Sequence, residues 1–269
     1  MIRILSRCNE IQLKQSCCHS DGRECNCINC LTDGFYSKDQ DTYGCLKRLC
    51  FYTMNYGPMY VSEIYHFLNK AKLLEEVVAS FKKAAINIIS IGCGFGPDYI
   101  ASLKYCSDYN INIHISYIGF DIEQNWKNIT NGIMNNVPIT HDIFKGFSLS
   151  NFHIIFLNKL FSTLKQNNQS NDFLRILIGE CKNSMPHGSF LVFNDINHWA
   201  KGRDEFDRAI SDVLNPVAKY YFNIRDAYTT DDYIEIPDIH NICQIPSDLP
   251  INPLQTATKS VFFLYQKQA

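Results

Sequence analysis

Residues 86–98 read Ile-Asn-Ile-Ile-Ser-Ile-Gly-Cys-Gly-Phe-Gly-Pro-Asp, and this run decides the fold. Ile86–Ile91 is apolar and β-branched, which predicts a strand buried on both faces. Gly92, Gly94 and Gly96 end it. Glycine adopts left-handed backbone without steric cost and lets a ligand approach the main chain. Pro97 suits the first turn of a helix, where its missing N–H had no intrahelical partner to lose. The run therefore predicts a strand, a tight turn and a helix over 97–107.

The same alternation continues downstream. Strands are expected at 113–120, 137–140, 152–157 and 189–193, with helices at 123–135, 172–184 and 203–214. Two late strands, 218–224 and 260–266, are joined by a long non-helical segment. Strands separated by helices pair in parallel through βαβ units, and the late pair predicts an antiparallel addition at one edge. The expectation is an α/β fold: a seven-stranded, mostly parallel, doubly wound sheet. Upstream, Tyr60, Ile64, Phe67, Leu68, Ala71 and Leu74 recur at helical spacing and predict helix from Met59 to Lys83.

Composition narrows the class of protein. The chain has 269 residues, 46% apolar and 19% charged, which is globular rather than disordered. Its net charge is −2, from 25 Lys+Arg against 27 Asp+Glu, so no global positive field draws it to nucleic acid. No apolar run is long enough for a membrane-spanning helix. The first residues lack the apolar core of a secretory signal, so a cytoplasmic location is expected.

The second expected strand ends in Gly119-Phe120-Asp121. An acid there, about 25 residues past the glycines, is placed to accept hydrogen bonds from both ribose hydroxyls of a nucleoside ligand. With the glycine loop, five stretches in order carry a family resemblance. They are residues 88–98 (IISIGCGFGPD), 117–123 (YIGFDIE), 139–144 (ITHDIF), 152–164 (FHIIFLNKLFSTL) and 188–198 (GSFLVFNDINH). Over roughly 60–269 the chain resembles the class I S-adenosylmethionine-dependent methyltransferases.

The resemblance implies S-adenosylmethionine as cofactor and methyl transfer as the reaction. It implies that Gly92, Gly94 and Gly96 line the methionine and ribose part of the cofactor. Asp121 would hold the ribose hydroxyls, Ile122 would face the adenine, Asp142 would reach its amino group, and Asn158 would sit beside the methyl group. The family usually has an acid two residues before the first glycine, where this chain has Ser90; Asp98, just past the loop, is the candidate to compensate. A competing class, the nicotinamide-dependent oxidoreductases, carries GxGxxG, which Gly92, Gly94 and Pro97 do not fit.

Methyl transfer from a sulfonium is an in-line displacement that chiefly needs alignment, and a base only when the nucleophile holds its proton tightly. Candidates at the carboxyl edge of the sheet are Asn158, Lys159, Asp195 and His198. The alternative for the last two is that Asn194 and Asp195 cap the next helix while His198 is a surface residue. No Asn/Asp-Pro-Pro-aromatic tetrapeptide follows the fourth strand, and no Pro-Cys does, which argues against the usual amino- and carbon-methylating nucleic-acid enzymes.

Eight of the twelve cysteines fall in the first 50 residues. In a reducing compartment clustered thiols favour metal over disulfide. The expectation is a cysteine-rich module over 1–58, followed by the methyltransferase domain over 59–269. Zinc is the expected ion, with Cys27, Cys30, Cys45 and Cys50 as one site and Cys18 and Cys25 as further ligands; an iron–sulfur cluster is the alternative. Lys47 and Arg48 precede Phe51, Tyr52, Tyr56 and Tyr60. Such a basic and aromatic run can stack bases and meet phosphates, so structured RNA is the first expected partner. The alternatives are a small-molecule or protein acceptor with the module as a lid, a non-catalytic cofactor-binding protein, or a segment that simply packs the module on the body.

Overall fold

Apolar side chains alternate along the central strands and both sets are buried, so the sheet is covered on both faces. A computed structural model describes residues 1–14, 30, 44–222, 232–237, 239–255 and 259–268. Its strands are β1 (Ala85–Ile91), β2 (His114–Asp121), β3 (Ile139–Thr140), β4 (Ile154–Asn158), β5 (Phe190–Ile196), β6 (Asn215–Phe222), β7 (Tyr233–Ile236) and β8 (Ser260–Gln266). They form one eight-stranded sheet in the order β3-β2-β1-β4-β5-β8-β6-β7. The pairs from β3 to β5 are parallel, and β8 runs antiparallel between β5 and β6.

The expected seven strands become eight. Tyr233–Ile236 pairs in parallel with β6 at the edge, inside the long non-helical segment where no further strand was expected. The expected helix at 123–135 shortens to Trp126–Thr130, because Asn131 turns to extended backbone and Gly132 to the left-handed region.

The helices are α1 (Ile2–Lys14), α2 (Leu46–Ala71), α3 (Leu73–Phe81), α4 (Pro97–Asp108), α5 (Trp126–Thr130), α6 (Phe161–Gln166), α7 (Ser170–Asn183) and α8 (Arg203–Ser211). Ile86 and Ile88 face the core under α1 to α5, whereas Ile89 and Ile91 face the core under α6 to α8. Phe190 and Val192 against Leu191 and Phe193, and Phe262 and Leu264 against Phe263 and Tyr265, divide the same way. Period-two alternation with both sets buried is what a doubly wound sheet requires.

The expected boundary at 58/59 falls inside α2, which runs on through Gly57 and Pro58. Pro58 forfeits one helical hydrogen bond, but the packing around it holds the helix. Gly57 carries no side chain where Met1 and Phe95 close on it. From α1, Ile4, Leu5 and Cys8 enter the same core as Leu49, Met54 and the sheet residue Ile88. Ile4 and Leu5 are almost wholly buried; each contributes about 1.5–3 kcal/mol, enough to fix α1 to the body.

The expected pairing of Cys45 with Cys50 as metal ligands is not formed. Cys45 precedes the first turn of α2 and is half-buried, whereas Cys50 is fully buried in the core beside Cys8. Five residues apart on a helix, the two point to different sides. Burial pushes the Cys8 thiol well up, away from the thiolate that binds metal. Among the described residues no group of three or more His, Cys, Asp or Glu side chains could hold a metal ion. Cys30 is described and half-buried, while Cys18, Cys25 and Cys27 lie outside the described residues. No described helix is long and apolar enough to cross a membrane.

Candidate active site

The carboxyl ends of β1, β2 and β4 open onto a cavity of about 540 Å³, roofed by α2 and α6. That size lies within the range of small-molecule and cofactor sites. Its floor is the glycine loop. Gly92, Gly94 and Gly96 have φ of +68°, +54° and +78°, all left-handed, which explains glycine at each. A Cβ on Gly92 would sit 2.9 Å from Leu160 Cδ1, and one on Gly94 would meet the Trp126 ring at 3.6 Å. Gly92 and Gly94 line the cavity; Gly96 lies at the foot of α4 outside the lining.

Asp121 ends β2 at the cavity wall. Its Oδ2 accepts the Gly94 N–H at 2.8 Å and its Oδ1 accepts the Glu123 N–H at 2.9 Å. Each carboxylate oxygen has a second acceptor position, so capacity remains for a ligand hydroxyl. Burial raises the carboxyl, and the Glu123 and Gly94 amides pull it back towards the charged form. The Gly92 and Cys93 amides also bond to the Phe120 carbonyl, so the loop is braced on the end of β2.

Ile122, 72% exposed, presents a large apolar side chain at the same wall, suited to the face of a planar base. Asp142 lines the cavity and caps the short 3-10 turn Ile143–Lys145, accepting the Phe144 N–H at 3.0 Å. Asn158, at the end of β4, is buried, and neither Oδ1 nor Nδ2 finds a partner. A buried amide with both ends unmet costs on the order of 1–3 kcal/mol per group unless a ligand completes it. Glycines that leave room, an acid bound to their amides, an exposed isoleucine and an orphaned asparagine together fit a nucleoside-bearing cofactor.

Three expected residues lie elsewhere. Asp98 is fully buried under the loop, where the Tyr117 hydroxyl donates to its Oδ1 at 3.1 Å. Burial raises its carboxyl to about 6, and it does not reach the cavity wall. Asp195 is buried behind the wall and accepts the Ser162 N–H at 2.9 Å, capping the first turn of α6. His198 is exposed, its Nδ1 accepting the Ala200 N–H at 3.1 Å. Of the four candidates at the carboxyl edge of the sheet, Asn158 and Lys159 line the cavity.

The structure also brings to the cavity part of the aromatic run that was expected to meet RNA, together with residues that had no expected role. Tyr52, Tyr56 and Tyr60 stand on successive turns of α2, with ring centroids 5.1 and 5.9 Å apart. Tyr52 and Tyr60 face the cavity, as do Glu123 and Trp126. Lys159 also lines it, and its ammonium is paired with the buried Glu63 of α2 at 3.0 Å. A periodic tyrosine spacing was visible along α2; the Glu63–Lys159 pair, formed between distant parts of the chain, was not.

The chain matches no protein-family model and no curated protein. Solved structures do resemble it. Two structures of the plantazolicin methyltransferase BpumL, with S-adenosyl-L-homocysteine and a triazolic or a pentazolic desmethylPZN analogue, are 12% and 13% identical. Each aligns over 90% of this chain and 97% of the other, with a TM-score of 0.50. The N-methyltransferase NodS from Bradyrhizobium japonicum WM9, with S-adenosyl-L-homocysteine, is 13% identical over 90% of this chain and 99% of its own, with a TM-score of 0.46. At such identities the likeness is one of architecture, and the chain has the fold of the class I S-adenosylmethionine-dependent methyltransferases.

Proposed function

We propose that this chain is an S-adenosylmethionine-dependent methyltransferase acting on a small molecule or a peptide. The observation that carries the reading is the cavity floor, where left-handed Gly92 and Gly94, with Asp121 bound to the Gly94 amide, lie beside the unpartnered Asn158. The cofactor, when bound, supplies an electrophilic methyl group. The chain's own residues bind, orient and exclude water. Gly92 and Gly94 leave room against the main chain, Asp121 accepts hydroxyls, and Ile122 and Asp142 flank the base.

Asn158 Oδ1 can accept an N–H or O–H from the acceptor and so point its lone pair, while Nδ2 can donate. Such alignment is worth up to about 7–11 kcal/mol and needs no strong base when the nucleophile is an amine. Asp195 and His198 have no part in this reading, because neither lines the cavity.

Charge favours a small molecule or peptide over RNA. The cavity wall carries Asp121, Glu123 and Asp142 against Lys159, which Glu63 neutralises. Phosphate recognition needs unneutralised cations, and among the described lining residues Lys159 is the only Lys or Arg. The BpumL comparison supports the reading in this respect: those structures hold triazolic and pentazolic desmethylPZN analogues with S-adenosyl-L-homocysteine. The test is transfer of labelled methyl from S-adenosylmethionine into fractionated metabolites, peptides and total RNA. Label in a metabolite or peptide fraction is expected; label confined to RNA would overturn the acceptor class, and no calorimetric binding of S-adenosylmethionine would overturn the whole reading.

A further inference from the structure

Glu63 sits in the apolar face of α2 and is wholly buried. Its Oε1 accepts from Asn194 Nδ2 at 2.7 Å and forms an ion pair with Lys159 Nζ at 3.0 Å, and its Oε2 accepts the Ser260 hydroxyl at 2.7 Å. Lys159 Nζ also donates to Asn194 Oδ1 at 3.0 Å and to Ser260 Oγ at 2.6 Å. The ring is closed: the ammonium donates twice and pairs with Glu63, and both carboxylate oxygens are engaged. It joins α2 to the chain just past β4, to β5 and to the first residue of β8.

A buried ion pair is a poor way merely to glue a helix to a sheet, since well-packed apolar residues of similar volume often hold as well. Its location is what distinguishes it. Lys159 and Asn194 line the same cavity as Gly92, Asp121 and Asn158. The Lys159 ammonium lies 5.7 Å from the Tyr60 ring on that wall, with its side chain 13% exposed. Without Glu63, the wall would carry an uncompensated positive charge next to Asn158.

We propose that Glu63 is a positioning residue that cancels the charge of Lys159, so that the ammonium can brace the chain beside Asn158 while the cavity still admits a cationic sulfonium. This rests on the reading that the cavity takes S-adenosylmethionine. That cofactor and S-adenosyl-L-homocysteine differ by a methyl group and the positive charge it brings, so the pair of ligands reports the electrostatics of the wall separately from its shape.

In Glu63→Gln, Lys159 keeps Asn194, Ser260 and the Tyr60 ring as neighbours. In Lys159→Gln, Glu63 keeps the Asn194 and Ser260 donors. Calorimetry on the full chain, with folding checked by circular dichroism, measures both ligands against each variant. Glu63→Gln should weaken S-adenosylmethionine on the order of tenfold more than S-adenosyl-L-homocysteine, and Lys159→Gln should move the ratio the other way. Equal weakening of the two ligands in Glu63→Gln would reduce the pair to a structural brace and overturn the proposal. Should Glu63→Gln not fold, an unchanged ratio in Lys159→Gln does the same. Wild-type protein that binds neither ligand would overturn the cofactor reading itself, and the proposal with it.

Discussion

Leu160 packs onto the open face of Gly92, so that a Cβ there would lie 2.9 Å from its Cδ1. The glycine loop and the chain leaving β4 are therefore interlocked. Gly92→Ala meets two penalties: the left-handed φ of +68° costs about 1–2 kcal/mol for an L-residue, and Leu160 must move. We expect S-adenosylmethionine affinity to fall roughly tenfold. Adding Leu160→Ala should recover part of it by relieving the contact, and isothermal titration of the single and double variants checks this.

Asp121 holds two amides, of Gly94 and Glu123, as well as facing the cavity. Asp121→Ala removes charge-assisted bonds of about 1.5–3 kcal/mol, or ~10- to 150-fold in cofactor affinity. Asp121→Asn, which keeps one acceptor, should fall between. Calorimetric affinities that do not change in the alanine variant would remove Asp121 from the site.

Asp98 gives a prediction with a definite sign. Its carboxyl is raised by burial from 3.8 to about 6 in the folded chain. The folded state therefore holds the proton more tightly than the unfolded state, so the protonated form's stability is fully present below pH 4. That stability is lost as pH rises through about 6, an effect on the order of 3 kcal/mol. Asp98→Asn keeps the acceptor that Tyr117 uses and never ionises. Its unfolding midpoint in urea should exceed that of the wild type at pH 8 and converge with it near pH 4. Parallel pH profiles would show that Asp98 does not titrate in this range.

Asp195 and His198 separate capping from chemistry. Asp195→Ala strips the cap from Ser162 and should cost about 1–2 kcal/mol in thermal unfolding, with little change in cofactor affinity. His198→Ala removes an acceptor for the Ala200 amide and a stacked contact with the Trp199 ring, both on the surface, and should move neither quantity appreciably. A large loss of affinity in either variant would return that residue to the site.

Much of the sheet was legible because its strands alternate so regularly. Ile86–Ile91 and Ser260–Gln266 place large side chains on both faces, a pattern few other structures accommodate. Tyr233–Ile236 was missed because four residues at an edge, with Ile234 and Glu235 exposed, carry almost no such signal. The glycines and Asp121 were legible because their chemistry is local. Glu63 was not, although an acid amid Tyr60, Ile64 and Phe67 is an anomaly on an apolar helix face. What makes it tolerable is Lys159, and only tertiary structure joins them. Cys50 shows the opposite: it resembles a ligand in a list of thiols, but beside Cys8 it behaves as a small apolar side chain in a packed core, while Cys18, Cys25 and Cys27 lie outside the described residues.

The unbroken course of α2 has a practical consequence for anyone who would shorten this protein. Met59 looks like a natural starting point, since Gly57 and Pro58 read as a hinge. A chain begun there would discard half of one rod and take Leu49 and Met54 out of the core to which Ile64, Phe67 and Leu68 belong. It would also lose Tyr52 from the cavity and the seat of α1. Such a fragment would retain every motif by which the chain is recognised and still expose a greasy flank to water, so its insolubility would say nothing about the motifs.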